Sequence, residues 1–177
     1  MIRKVNVQLK GKSPLLMHRF PLEPVEAIEK KTPKEQAEIA AYRDSETGEL
    51  YIPGIALQRA MISGATFSKG KGRASLQKEV AACVFVFPER CSLGVKEYVV
   101  DSRAVVVPAT KGRVIRHRPR LDEWCVSFTL EFEDTLVSET QVRKILDDTC
   151  ERVGFLDFRP SNKGPYGRAM VTGWDLL

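Results

Sequence analysis

The chain of 177 residues is 43% hydrophobic and carries 28 Lys and Arg against 23 Asp and Glu, a formal net charge of +5. This length allows one domain with a sizeable core and is short for two, so we expect a single domain over residues 1–177. No signal-peptide core opens the chain and no apolar run is long enough to span a membrane, which predicts a cytoplasmic protein with no membrane partner.

The composition also argues against bound metals and nucleotides. The four cysteines form no Cys-x-x-Cys pair, and the two histidines do not complete a zinc-binding set. The short basic loop at residues 68–73 lacks the glycine and lysine spacing of a P-loop. We therefore expect no metal site and no cofactor.

Alternation of apolar and polar residues predicts two half-buried strands, one over residues 2–10 and a clearer one over residues 124–132. The apolar run at residues 83–87, which stops at a proline, predicts a buried central strand. Residues 169–174 predict a closing strand. The chain therefore contains at least four strands, spread from one end to the other.

Helix signals lie between these strands. Thr32 and Ser138 each begin a capping box, which predicts a peripheral helix over residues 33–42 and a longer one from Ser138 to about residue 153. A third helix opens at residue 54 and keeps its apolar positions on one side as far as residue 65.

Basic residues are concentrated in two tracts, residues 50–78 and 102–121, which contain no acid. The cations of the first are Arg59, Lys69, Lys71, Arg73 and Lys78, and those of the second are Arg103, Lys111, Arg113, Arg116, Arg118 and Arg120. Two such tracts indicate one electrostatic footprint that folding brings together.

The second tract predicts a long β-hairpin with a basic arm. Residues 97–107 and 113–120 are extended in character and are joined by a turn at residues 108–112. Pro119 lacks a backbone donor and places the arm at a sheet edge or beyond it. We therefore expect the arm to lie outside the core, so that the arginines of residues 113–120 can be replaced together with little loss of stability.

The loop at residues 155–168 mixes turn formers, aromatic residues and cations. Gly164 and Gly167 allow positive φ or a close approach of the backbone to a ligand. Its cations, set against a single acid, are Arg159, Lys163 and Arg168. The loop is predicted to contact phosphate, because guanidinium groups match phosphate geometry.

If segments at about residues 21–50 and 95–121 are insertions, the remaining order is strand, helix, strand, strand, helix, strand. This is the order of the ferredoxin-like, or RRM-like, α+β fold, in which an antiparallel sheet carries its helices on one face. The two insertions are then a peripheral helical segment and the basic hairpin.

Three segments carry a resemblance to a known family. They are Tyr-Ile-Pro-Gly-Ile-Ala-Leu-Gln-Arg-Ala at residues 51–60, the glycine-rich loop at residues 158–168, and Gly-Lys-Ser-Pro-Leu-Leu at residues 11–16. Together they resemble the RAMP superfamily of CRISPR effector complexes, which act in antiviral defense. The nearest likeness is to the backbone subunits, which assemble helically on a guide RNA and grasp it with a hairpin thumb. The resemblance equally fits a compact, virus-encoded or stand-alone relative.

The resemblance implies that the hairpin at residues 103–120 is the thumb. It also implies a non-catalytic role, because the loop with His18 lacks the aspartate that cleaving members place there. We therefore expect a single-stranded nucleic-acid-binding protein, with RNA favoured over DNA, that forms a homo-oligomer along its ligand, alone or with other effector subunits. The candidate binding residues are Arg59, Lys69, Lys71, Arg73, Arg113, Arg116, Arg118, Arg120, Arg159, Lys163 and Arg168, with Tyr166 as the base-stacking residue.

Two alternatives from other classes remain open. One is a metal-independent endoribonuclease of the RAMP type that uses His18 or His117 as general acid or base, although neither histidine has an evident partner in the sequence. The other is a structural or assembly protein, for example of a virus, whose cations face acidic protein surfaces.

Overall fold

A computed structural model describes residues 1–177 and contains nine strands and five α-helices. The strands are β1 (Ile2–Gly11), β2 (Leu15–Leu16), β3 (Tyr51–Pro53), β4 (Val84–Phe87), β5 (Arg90–Ser92), β6 (Val99–Val106), β7 (Arg113–Leu121), β8 (Cys125–Glu133) and β9 (Ala169–Leu176). The helices are α1 (Val25–Glu29), α2 (Pro33–Ile39), α3 (Gly54–Gly64), α4 (Gln77–Cys83) and α5 (Glu139–Asp148). None of the five has the length and hydrophobicity that a membrane crossing requires.

The main sheet has the strand order β4-β8-β1-β9, and every neighbouring pair in it is antiparallel. Along the chain, its strands and the two helices that cover it follow the order β1, α3, β4, β8, α5, β9. This is the ferredoxin-like arrangement, so the predicted α+β fold is confirmed.

Side-chain alternation explains why this sheet has one buried face. The inward positions of β1 are Val5, Val7 and Leu9, and those of β8 are Val126, Phe128, Leu130 and Phe132. Helices α3 and α5 cover them with Leu57, Met61, Val142, Ile145 and Leu146. Because successive side chains of a strand point to opposite faces, the other face of the sheet remains open to solvent.

Both predicted capping boxes are present. The Thr32 and Ser138 hydroxyls each accept a hydrogen bond from the backbone three residues on, and the side chain at that position bonds back to the cap. Helix α5 continues as a π-helical turn, Thr149–Val153, and Gly154 ends it with φ of 73°.

Strand β4 corrects one prediction, because it lies at the edge of the main sheet and not at its centre. Val84 and Val86 are buried while Phe85 and Phe87 are exposed. An apolar run of four residues does not by itself distinguish a strand buried on both faces from one whose outer face is apolar.

Helices α1 and α2 and the hairpin of β6 and β7 fall within the two segments that were set aside as insertions, and the base of the hairpin is packed. Strands β6 and β7 pair over eight residues, and β7 lies between β6 and β2 in a second sheet. The Pro119 carbonyl accepts the Met17 N–H at 2.9 Å, and Arg118 is only 5% exposed. The prediction that the whole arm lies outside the core is therefore wrong for the base of β7. The prediction does describe the distal part of the hairpin, where Val106 and Ile115 are exposed.

Candidate nucleic-acid interface

A cleft of about 480 Å³ lies between α3 and the loop that follows the π-helical turn. Its apolar floor comes from α3 and from Leu156. Its polar lining residues are His18, Tyr42, Arg59, Ser63, Asp157, Arg159 and Asn162. The fold thus brings Arg59 and Arg159, which are 100 residues apart in sequence, to one site.

Close packing at the start of α3 positions Arg59. A Cβ at Gly54 would lie 2.6 Å from the Pro88 carbonyl oxygen, so only glycine lets the helix begin against the turn between β4 and β5. Leu57 and Ala60 then face the core, which leaves Arg59 exposed on the cleft side.

The glycine-rich loop folds tightly on itself. Gly167 has φ of 73°, a conformation that non-glycine residues rarely adopt. Its N–H donates to the Pro14 carbonyl, and its own carbonyl accepts the Phe155 N–H. A Cβ at Gly164 would lie 2.1 Å from the Phe158 carbonyl oxygen. Both glycines are thus required by contacts within the protein, and they fix the position of the Arg159 segment.

Arg159 is held in place without a carboxylate partner. Its Nη1 donates to the Leu156 carbonyl at 2.9 Å, and its Nε donates to the Ser161 hydroxyl at 2.8 Å. A guanidinium that is oriented by neutral acceptors keeps its full charge for an incoming anion.

A half-buried ion pair joins the hairpin base to the cleft. Arg118 Nη1 donates to Asp157 Oδ2, and His18 Nδ1 lies 3.5 Å from the same oxygen. Burial alone would raise the pKa of Asp157, but the hydrogen bond from His18 and the charge of Arg118 outweigh it and hold that pKa at about 2. His18 therefore has a carboxylate partner, one that lies 139 positions away in sequence.

A second cluster surrounds Arg103 at the hairpin base. Asp101, which is 3% exposed, accepts hydrogen bonds from Arg103 at 2.8 Å and from Arg120 at 3.1 Å. The Arg103 guanidinium also donates to the Tyr166 hydroxyl at 2.9 Å and lies 4.9 Å from the centre of the Phe158 ring. The Tyr166 ring, predicted to stack a base, is thus half-buried against an arginine and a second aromatic ring.

Ion pairing divides the predicted binding cations into two groups. Arg118, Arg120 and Arg168 are paired with Asp157, with Asp101 and Asp122, and with Glu151. The free cations, which have no carboxylate within 4.0 Å, are Arg59, Lys69, Lys71, Arg73, Arg113, Arg116, Arg159 and Lys163. Only this second group offers uncompensated charge to a ligand.

The free cations occupy several parts of the surface, and Arg113 lies at the distal end of the hairpin, where β7 begins. Arg59 and Arg159 line the cleft, and Lys163 follows the short 3₁₀ turn beside it. Arg116 lines a smaller depression next to the cleft, and His18 lines both. The exposed turn after α3 carries the remaining lysines and Arg73.

Comparison with known proteins gives a likeness in structure alone. No protein-family model matches the chain, and no curated protein matches it. A chain of a solved structure, the cryo-EM structure of the Type III-B Cmr-beta bound to cognate target RNA, aligns with 99% of this chain at 13% sequence identity and a TM-score of 0.60. This chain covers 61% of that longer one. The likeness shows that the two chains share a fold.

Proposed function

We propose that this protein is a non-catalytic single-strand RNA-binding protein that assembles along its ligand, as the backbone subunits of CRISPR effector complexes do. The observation that carries the proposal is the group of eight free cations around the cleft, the end of α3 and the distal hairpin. Cations without carboxylate partners attract phosphate more strongly than paired ones, because no internal ion pair must be broken.

The structural likeness supports RNA as the ligand, since the similar chain belongs to a complex bound to its target RNA. Exposed apolar side chains support assembly into an oligomer. They are Phe20 and Leu22, which are 84% and 88% exposed, and Val106 and Ile115 on the distal hairpin. Apolar surface of this kind marks sites of protein contact when it is contiguous. Other effector subunits and a cytoplasmic location belong to the same proposal.

Salt titration tests the proposal. Affinity for a labelled single-stranded RNA should fall steeply with salt, with a slope of about −3 to −6 in log K against log salt if most free cations contact phosphates. Sequence should matter little. Light scattering with and without RNA measures assembly in the same samples. An affinity that does not change with salt would contradict phosphate binding and favour an assembly protein whose partners are other proteins.

The contact between His18 and Asp157 favours a second candidate function, metal-independent cleavage of RNA. His18 Nδ1 faces the carboxylate, so Nε2 is the nitrogen that remains for a substrate. It would accept the proton of a 2′-hydroxyl, whose oxygen attacks the adjacent phosphorus. The bond to the 5′-oxygen breaks, that oxygen takes a proton from water, and the hydroxide that remains recovers the proton held by His18. The products are a 2′,3′-cyclic phosphate and a 5′-hydroxyl.

Substitution of His18 separates the two candidates. We expect the wild-type protein and the His18→Ala variant to leave RNA equally intact in the presence of a chelator, because the proposed role is binding. His117→Ala is the matched control, since the His117 ring hydrogen-bonds the Ser102 hydroxyl and has no carboxylate partner. A cyclic-phosphate product that falls by about 10²-fold or more in His18→Ala, but not in the control, would establish the enzyme.

A further inference from the structure

Phe67 is an exposed aromatic residue just after α3 that none of the contacts described above involves. It is 45% exposed, and the guanidinium carbon of Arg152 lies 4.9 Å from the centre of its ring. Arg152 Nε lies 3.7 Å from Asp148, which helps to hold the guanidinium beside the ring. The ring and the guanidinium together form a partly exposed surface, which we name the Phe67 platform.

The platform lies between two groups of free cations. Ile55, Arg59, Ser63 and Phe67 recur every four residues on the exposed side of α3 and of the 3₁₀ turn that follows it. At the rise of an α-helix, the platform is therefore about 12 Å from Arg59 along the helix axis. Directly beyond it, the chain enters the turn that contains Lys69, Lys71 and Arg73. A strand whose phosphates contacted both groups would run past the platform.

The other exposed phenylalanines lack this setting. Phe20 lies just before the peripheral insertion, and Phe85 and Phe87 lie on the open face of the main sheet. None of the three has a cation over its ring. A single exposed aromatic residue is ordinary on a protein surface, so the position between cations is what distinguishes Phe67.

We propose that the Phe67 platform stacks one base of the bound strand, an inference that rests on the RNA-binding function proposed above. Stacking on an aromatic ring accepts any base, because every base has a flat π-face, and an arginine beside the ring adds a cation–π contribution. The platform thus supplies the base contact at the end of α3, while the free cations hold the phosphates on either side.

The test uses two oligonucleotides of equal length and charge. One is oligouridylate, and the other carries tetrahydrofuran in place of every nucleoside, so that it has phosphates but no bases. Phe67→Leu keeps an apolar side chain and removes the ring. We expect this variant to bind oligouridylate about 5-fold or more weakly and to bind the base-free oligonucleotide as the wild-type protein does. Phe85→Leu, on the open face of the sheet, is the matched control and should change neither affinity.

Photocrosslinking of oligouridylate that contains 5-iodouridine gives a second readout that a purely structural role would not produce. The expected crosslink maps to the peptide that contains Phe67. If both oligonucleotides bind and Phe67→Leu weakens both equally, or neither, the platform is refuted while RNA binding stands. If neither oligonucleotide binds to the wild-type protein, the proposed function and the platform fail together.

Discussion

Replacement of Arg59, Arg113, Arg116 and Arg159 by Ser is expected to lower affinity for single-stranded RNA by about 10³-fold, taking ~1 kcal/mol for each exposed ion pair with phosphate. The salt slope should become shallower by about 3, since each phosphate contact on a single strand contributes roughly 0.7. The fold should persist with a loss of about 1–3 kcal/mol, because none of the four has an ion-pair partner and only Arg159 gives up hydrogen bonds, those to the Leu156 carbonyl and the Ser161 hydroxyl. Fluorescence anisotropy at several salt concentrations measures both quantities.

The matched control removes the same charge elsewhere. Lys10, Lys30, Lys34 and Lys96 are exposed, have no ion-pair partner and lie outside the two basic tracts and the glycine-rich loop. Their replacement by Ser should alter affinity by much less than the cleft and hairpin variant does. Equal losses in the two variants would mean that overall net charge drives binding, and the localised interface would then be rejected.

Arg118→Ala is expected to destabilise the protein by about 2–3 kcal/mol, because it removes a buried guanidinium from a half-buried ion pair. For a chain of this length, that corresponds to a fall in Tm of roughly 4–12 °C. The substitution leaves Asp157 without its guanidinium partner and opens a gap at the base of the hairpin. Thermal unfolding followed by circular dichroism measures the effect.

Arg116→Ala is the internal control, because Arg116 lies two residues away on the same face of β7 and has no ion pair. Its Tm should stay within about 2 °C of the wild type, since Arg116 is half-buried but makes no ion pair, and a substitution that breaks no such contact changes stability by about 0.5 kcal/mol or less. Acid should destabilise the wild-type protein in the same way as the loss of Arg118, because it protonates Asp157. The pKa of Asp157 is lowered to about 2, so its stabilisation is complete above the ordinary value of 3.8 and is lost as the pH falls from there towards 2. A Tm for Arg118→Ala equal to that of Arg116→Ala would disprove the role of the pair.

Periodic patterns made most of the fold predictable. Strands β1 and β8 alternate clearly enough to predict which face is buried, and both capping boxes mark where a helix begins. Once the two insertions are set aside, the order of the remaining elements leads to the ferredoxin-like arrangement. Short elements were harder to predict, because α1 and β3 contain too few residues to show a helical or strand periodicity.

The site was less predictable, because charge pairing is a tertiary property. In the sequence, Arg116 and Arg118 are neighbours in one basic strand and look equivalent, yet only Arg118 meets a carboxylate and is buried. Asp157 in turn lies in a loop where it is the single acid, and nothing local shows that it faces His18. A one-dimensional count of cations therefore overestimates how many are free to bind a ligand.

The contacts between the hairpin base and the glycine-rich loop determine how the molecule opens. Arg118 bonds Asp157, 39 positions away, and Arg103 bonds Tyr166, 63 positions away, so two segments distant in sequence are joined. We expect these segments to open together, so that their most protected amides report a common opening free energy. The distal hairpin beyond Arg103 is not fastened in this way. Its tip is thus free to adjust to a ligand while the cleft keeps its shape.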